Sequence, residues 1–176
     1  MSSDPEKISA EGVLNPDPKR FFDSKNYNTL IVNLEGHSKK ENITSELVLS
    51  LIEKEYTPDE KVEVLRELKS RNAQKVLVEC ISAIENPDKK AILIAACWES
   101  GLDFKDFLLF FTGQACSHNF NVVLESVSLI ENNESVFDQE SMKKAEKIIS
   151  DKINENPATI ELLKPLLEFI SLKITV

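Results

Sequence analysis

The sequence predicts an all-α protein, a short α-α superhelix of about eight helices stacked as helical hairpins. Apolar residues recur at the helical spacing i, i+3, i+4 and i+7 through most of the chain beyond residue 42. Helix-start signals, in which a capping residue precedes a proline and an acid, stand at Thr57-Pro58-Asp59 and Asn86-Pro87-Asp88. The 176 residues include only four glycines, too few for the many tight turns of a β-sandwich or barrel.

The first part of the chain lacks this helical pattern. Residues 1–25 combine three prolines with mixed charge and little periodicity, which predicts an extended or flexible arm. The helical-repeat domain would then cover residues 26–176. Within it, Tyr27–Leu34 is compatible with a short helix or with a strand. The charged N-terminus predicts no secretory signal, and no apolar segment is long enough to span a membrane, so we expect a cytoplasmic protein.

Three amphipathic helices follow in the sequence. The first is expected to begin at the capping residues Thr44 and Ser45, the second to run from Pro58 to Ser70, and the third to end near Asn86. Each carries one apolar stripe that should face the core. The stripes are Leu47, Leu51 and Ile52, then Val62, Leu65 and Leu68, then Val76, Leu77, Cys80, Ile81 and Ile84.

The most apolar segment is Ala91–Trp98, AILIAACW, which has no polar side. A helix that is apolar on all sides has to be covered on all sides. We therefore expect Pro87–Ser100 to be a central, fully buried helix that Gly101 ends. On this interpretation Trp98 belongs to the core, and a role as an exposed binding residue is the alternative.

Two further apolar stripes follow Gly101. Phe104, Phe107 and Phe111 share one helical face and should be core. Phe110 lies off that face and is either buried by the next hairpin or exposed for contact. The second stripe consists of Phe120, Val123, Leu124, Val127 and Ile130.

The chain closes with two helices, predicted at about Gln139–Asn154 and Thr159–Leu172. Pro165 removes a backbone donor from the second helix, so we expect a kink or a restart there. This last segment is strongly apolar although it would form the end of a stack. Its apolar side chains should either pack on the preceding hairpin or form a homodimer contact. They are Leu166, Leu167, Phe169, Ile170 and Leu172.

Two segments of the sequence match each other. VLVECISAIENPD begins at Val76 and VVLESVSLIENNE begins 46 residues later at Val122. The helix starts at Pro58 and Pro87 are separated by 29 residues instead. Spacings of this size are typical of stacked helical units, in which each pair leaves an apolar face for its neighbour to bury. Because the two spacings disagree, the register of the repeat stays open.

The segment between Asn86 and Ile130 resembles HEAT-repeat sequence. The matching features are the Asn86-Pro87-Asp88 turn, the residues Ala91, Ala95, Ala96 and Trp98 in the next helix, and the Gly101-Leu102-Asp103 turn. The resemblance extends over about residues 43–155. It implies an α-solenoid of about four hairpins, the last one or two irregular, and it implies binding or scaffolding as the kind of work such a fold does.

Composition and motifs count against several functions. The formal net charge of −9 and the pI near 4.9 disfavour nonspecific binding to nucleic acid or to anionic membranes. The sequence contains no glycine-rich phosphate loop, calcium loop or His-Glu-x-x-His motif. In Cys116-Ser117-His118 a thiol and an imidazole are close in sequence, but residues two apart on a helix point in nearly opposite directions. We therefore predict no catalytic residue, no cofactor, no metal site and no enzyme.

The predicted function is non-enzymatic protein–protein interaction or scaffolding. The candidate contact residues lie opposite the apolar stripe of the helix that follows Asn119, and they are Asn121, Glu125, Ser128 and Asn132. Acidic residues gather in the same region, which indicates a solvated face or a site for a partner with a basic patch. They are Glu125, Glu131, Glu134, Asp138 and Glu140.

Two alternatives remain open from the sequence. The resemblance also reaches HEAT-like DNA glycosylases, which implies a nucleic-acid binding or base-processing protein, although such sites need a basic groove. The chain could also be a structural subunit of a homo-oligomer.

Overall fold

The computed structural model describes residues 39–133, 135–153 and 160–174. In these ranges the chain is all-α, with eight α-helices and no strand, as the sequence predicts. The helices are α1 (Lys39–Glu53), α2 (Pro58–Ser70), α3 (Gln74–Ala83), α4 (Pro87–Glu99), α5 (Leu108–Ala115), α6 (Phe120–Asn132), α7 (Gln139–Ile153) and α8 (Ile160–Ile174), with a 3₁₀ turn at Lys105–Phe107. The predictions for residues 1–25 and for Tyr27–Leu34 lie outside the described ranges. Within those ranges no helix is both long and apolar enough to cross a bilayer.

Local capping chemistry sets the starts of α2, α4 and α6. The Thr57 N–H donates to Glu60 Oε2 (2.9 Å) and the Glu60 N–H donates to Thr57 Oγ1 (3.4 Å), which completes a capping box on α2. Asn86 Oδ1 accepts hydrogen bonds from two backbone N–H groups in the first turn of α4, and Asn119 Oδ1 accepts one from Val122 on α6. These contacts confirm the helix starts at Pro58 and Pro87.

The helices pack as two layers. Helices α1, α4, α6 and α8 contact one another in that order and form one layer. In the other layer, α5 packs on α6 and α7, and α7 packs on α8, while α3 packs on α1 and α4. Consecutive pairs α3–α4, α5–α6 and α7–α8 therefore lie side by side, and each pair buries the apolar side of its neighbour. Helix α2 packs mainly on α1, and the Lys61–Glu99 ion pair (2.5 Å) ties it to α4.

The core lies between these layers. Leu93, Ile94 and Cys97 of α4 are fully buried, and Phe104 meets Phe111 edge to face at 5.4 Å between ring centroids. Burying one such aliphatic or aromatic side chain stabilises the fold by about 1.5–3 kcal/mol. The two layers are thus joined mainly by apolar contact.

The expected start of the first helix is wrong. Helix α1 begins at Lys39, and Thr44 and Ser45 are buried inside it. The two hydroxyl residues share a buried face with Val48 and Leu49, so packing favours continuing the helix over ending it at a cap.

The expectation of a fully buried central helix is also wrong in part. Helix α4 does begin at Pro87, and it ends at Glu99 with Ser100 as its C-cap and Gly101 directly after it; five of its residues are buried. Ile92 is 44% exposed and Trp98 is 38% exposed. Helix α4 packs against α1, α3 and α6, which cover only part of its circumference.

Two predicted stripes, on α2 and α6, are shifted or incomplete. Val62 is 50% exposed and Phe120 is 56% exposed, so neither belongs to the core. The buried face of α6 extends instead to Val122, Ser126 and Leu129, because α6 packs against helices of both layers. The buried Ser126 hydroxyl is satisfied by donating to the carbonyl of Val122 (2.6 Å).

The phenylalanine segment is partly as expected. Phe104 and Phe111 are buried, whereas Phe107 is only half-buried because it lies in the 3₁₀ turn before α5. Phe110 is half-buried and packs edge to face on Phe111 of the same helix, and its burial by the next hairpin stays a prediction.

The last helix runs through Pro165 without a restart. Leu166 and Ile170 are buried, while Leu167 and Phe169 are half-buried against the core. Leu172 is 70% exposed. Most of this segment therefore packs on the preceding helices, and homodimerisation stays a prediction.

The two matching sequence segments do not occupy equivalent places. The first covers α3, the leading helix of its pair, and the second covers α6, the trailing helix of its pair. Their likeness reflects a shared amphipathic pattern more than a shared position in the stack.

Candidate functional site

A tryptophan on the surface joins two neighbouring helices. Trp98 lies in the last turn of α4, and its indole Nε1–H donates to Glu125 Oε2 of α6 at 2.9 Å. The prediction that Trp98 is a core residue is therefore wrong. Its ring is held at the boundary between α4 and α6, with 38% of the residue exposed to solvent.

The residues predicted for partner contact lie on one side of α6. Asn121 and Asn132 are exposed, and Glu125 and Ser128 are half-buried. The Asn132 side chain donates to the carbonyl of Ser128 at 2.8 Å, one turn earlier on the same side. We call these four residues the α6 outer face. The structure places Glu125 of this face against Trp98, a contact that no local sequence pattern indicates.

Glu125 forms no ion pair with any residue in the described ranges. The hydrogen bond from Trp98 uses one carboxylate oxygen, and a carboxylate has several further acceptor positions. An aromatic ring and an anionic group thus lie together at one point of the surface.

A cleft of about 220 Å³ opens beside Trp98. Lys69 at the end of α2, Gly101 and Asp103 in the α4–α5 connection, and Asn132 at the end of α6 contribute to its lining. We call it the Trp98 cleft. Sequence reasoning missed it because its walls come from three segments that are distant in the chain.

The side chain of Asn133 holds the backbone around the Trp98 cleft in place. Asn133 Oδ1 accepts a hydrogen bond from the Phe104 N–H at 3.1 Å, and Asn133 Nδ2 donates to the Ser135 carbonyl at 3.0 Å. One side chain therefore holds the α4–α5 connection against the segment that follows α6. This ordering gives the cleft a defined shape.

The two charges in the Trp98 cleft are arranged differently. The Lys69 ammonium lies 3.1 Å from the position that a β-carbon on Gly101 would occupy, and Lys69 forms no ion pair within the described ranges. Asp103 accepts from the Lys105 backbone N–H at 2.9 Å, and this hydrogen bond is the largest cause that lowers the pKa of Asp103. Hydrogen bonding to Ser135 and the Lys105 charge lower it further.

The acidic set singled out in the sequence is mostly solvated. Glu131, Asp138 and Glu140 are exposed, and Glu134 lies outside the described ranges. Asp138 accepts from the Ser141 N–H at 2.8 Å near the start of α7, and Glu140 pairs with Lys144 at 2.5 Å. Two members thus serve local helix structure.

Two of the three cysteines, Cys80 and Cys97, are buried free thiols. Burial raises the pKa of the Cys80 thiol to about 12 and that of Cys97 well above its usual range, so both stay protonated. Cys116 is half-buried at the end of α5, and His118 is exposed. No group of three or more His, Cys, Asp or Glu side chains in the described ranges is placed to hold a metal ion.

No protein-family model, curated protein or solved structure matches the chain.

Proposed function

We propose that the chain is a non-enzymatic protein-binding or scaffolding module of stacked HEAT-like helical hairpins, and that it works in the cytoplasm. Its partner binds at Trp98 and the α6 outer face. The observation that carries this proposal is the exposed Trp98 ring, held by Glu125 of the neighbouring helix pair.

A surface tryptophan suits such a role for two physical reasons. Tryptophan is among the residues that contribute most to binding energy at protein interfaces. The hydrogen bond to Glu125 already fixes the orientation of the ring, so a partner loses less side-chain entropy on binding. The polar residues of the α6 outer face would form the rim of the interface.

The chemistry of the pair also indicates the kind of partner. An arginine guanidinium can stack on the face of an indole ring and donate a hydrogen bond to a carboxylate beside that ring. Trp98 and Glu125 offer both groups together. The net charge of −9 would steer a basic partner toward the protein, and its association rate should fall as salt rises. The partner therefore carries an exposed arginine within a basic patch.

A quantitative pull-down tests the proposal. The immobilised chain captures proteins from an extract of the cells that produce it, and mass spectrometry compares wild type with Trp98→Ala and Glu125→Lys. We expect capture of a specific protein to fall at least about tenfold in both variants. Ile148→Ala removes a residue of similar exposure from α7 (39% against 38%) and should leave capture unchanged. Capture that is indifferent to Trp98→Ala would count against this surface.

A titration with duplex DNA addresses the remaining alternative. At low salt, fluorescence anisotropy should detect no tight binding, because the acidic chain releases few counterions from DNA. Tight binding would favour the nucleic-acid function instead.

A further inference from the structure

We infer that the Trp98 cleft is a second subsite of the same surface, where Lys69 binds an acidic side chain of the partner. This inference rests on the proposed function, because Trp98 borders both subsites. One partner segment that covers the indole ring can reach Glu125 on α6 and enter the cleft.

Lys69 is placed for this role by the turn that ends α4. Its ammonium approaches Gly101 so closely that any β-carbon at that position would meet it at 3.1 Å. The lysine has no ion-pair partner in the described ranges, unlike Lys61 on the same helix, which pairs with Glu99. A cation that is held beside a cleft and not neutralised is complementary to an incoming carboxylate.

Asp103, the acidic residue that lines the cleft, is not the ion-pair partner of Lys69. Asp103 directs its oxygens to the backbone and side chain of Lys105 and to the Ser135 hydroxyl. Lys69 and Asp103 are not within ion-pair distance of each other. Asn132, which also lines the cleft, uses its amide group to donate to Ser128 and has a second N–H for a ligand oxygen.

The two subsites together predict a partner segment with charges of both signs. A basic residue meets Glu125, an apolar or planar group covers Trp98, and an acidic residue meets Lys69. This pattern fixes the direction in which the segment lies on the surface, because reversing it would place like charges together.

Selection from a phage library of random peptides tests this inference on the full chain. Wild type should enrich peptides that contain an acidic residue as well as an arginine or lysine. Lys69→Gln should remove the enrichment of acidic residues and keep that of basic residues. Trp98→Ala should remove both. Lys75→Gln on α3 makes the same charge change outside the cleft, and it should select the same peptides as wild type.

A second experiment measures the affinity of one synthesised peptide by fluorescence anisotropy and so quantifies the contribution of Lys69. Lys69→Gln should weaken binding about threefold to fivefold, since the lysine is exposed. Replacing the acidic residue of the peptide by its amide should cost the same factor, and the two changes should not add. An acidic preference that is absent, or that survives Lys69→Gln, would overturn the subsite and leave the proposed function standing. Selection of no Trp98-dependent peptide would overturn both.

Discussion

Gly101 occupies the point where α4 ends and Lys69 approaches from α2. Its φ of +62° lies in the left-handed region, where a β-carbon collides with the backbone. The Lys69 ammonium leaves little space for a side chain there. Glycine at this position therefore both ends the helix and admits the lysine to the Trp98 cleft.

Replacing this glycine should destabilise the protein. We expect Gly101→Ala to lower the free energy of unfolding by about 1–2 kcal/mol, because alanine adopts the left-handed conformation at that cost. Gly113→Ala is the matched control, since Gly113 lies in the helix α5 and a β-carbon there meets nothing within 4 Å. It should leave stability unchanged or raise it by about 0.5–1 kcal/mol. Urea denaturation measures both, and equal effects of the two substitutions would contradict this account.

At the scale of single residues, local chemistry is predictable from the sequence and exposure is not. The caps at Thr57 and Asn86 depend only on groups within three residues, so the sequence indicates them correctly. The exposure of Trp98 depends on which helices pack around α4. The positions of those helices are set by other parts of the chain, and the run of apolar residues around Trp98 wrongly indicates that it is buried.

The stability of helix α2 depends strongly on the interactions at its own ends. Only Leu65 and Leu68 of its residues are buried, and its contacts are mainly with α1. A helix with so little tertiary contact relies on its cap and its side-chain pairs. Because Lys69 lies in the last turn of α2, the stability of this helix also bears on the Trp98 cleft.

Removing the cap should weaken α2. We expect Thr57→Ala to lower the free energy of unfolding by about 1 kcal/mol at neutral pH, because the Glu60 N–H loses its acceptor. Hydrogen exchange should show faster opening of α2 than of α4 in this variant. Unchanged exchange in α2 would contradict a dependence on the cap.

The same cap should make stability depend on pH. The Thr57 backbone N–H, and then its hydroxyl, lower the pKa of Glu60 below its usual range. A lowered pKa in the folded state contributes stability above the unfolded-state pKa, and that stability is lost as pH falls through the folded-state value. Glu60→Gln should therefore be less stable than wild type at neutral pH, with the gap closing in acid. In a Thr57→Ala background the gap at neutral pH should be smaller, because the hydroxyl that helps to lower the pKa of Glu60 is gone.

Helix α8 offers a test of packing at the end of the stack. Leu166→Ala should lower the free energy of unfolding by about 2–5 kcal/mol, because the residue is fully buried. Leu172→Ala changes a residue that is 70% exposed and should stay within about 0.5 kcal/mol of wild type. A chain truncated at Pro165 should unfold. A truncated chain that stays folded but loses a dimer in light scattering would show instead that this segment is an oligomer contact.

The sequence predicts which segments are helical better than which faces are buried. Helix α6 carries the expected period, yet its core side includes Val122, Ser126 and Leu129, and Phe120 points to solvent. Periodicity fixes the helix because it depends on spacing within one segment. The buried side depends on the positions of α4, α5, α7 and α8, which spacing does not contain.

At the scale of the whole molecule, the stacking of helix pairs produces the candidate site. Trp98 and Glu125 are 27 residues apart, and they meet because α4 and α6 are neighbours in one layer. The Trp98 cleft adds Lys69 from α2, which the Lys61–Glu99 ion pair helps to hold near the end of α4. The period of one helix predicts the α6 outer face, but no single segment contains the pattern of the assembled surface.

Trp98 and the α6 outer face are the proposed contact with a partner protein. Photocrosslinking from a light-activated amino acid placed at Ser128 in the producing cells measures this contact most directly. We expect a discrete adduct from Ser128 that disappears with Trp98→Ala, and no equivalent adduct from the same probe at Ile148 on α7. Adducts that form equally from both positions, or that persist without Trp98, would contradict the proposed contact.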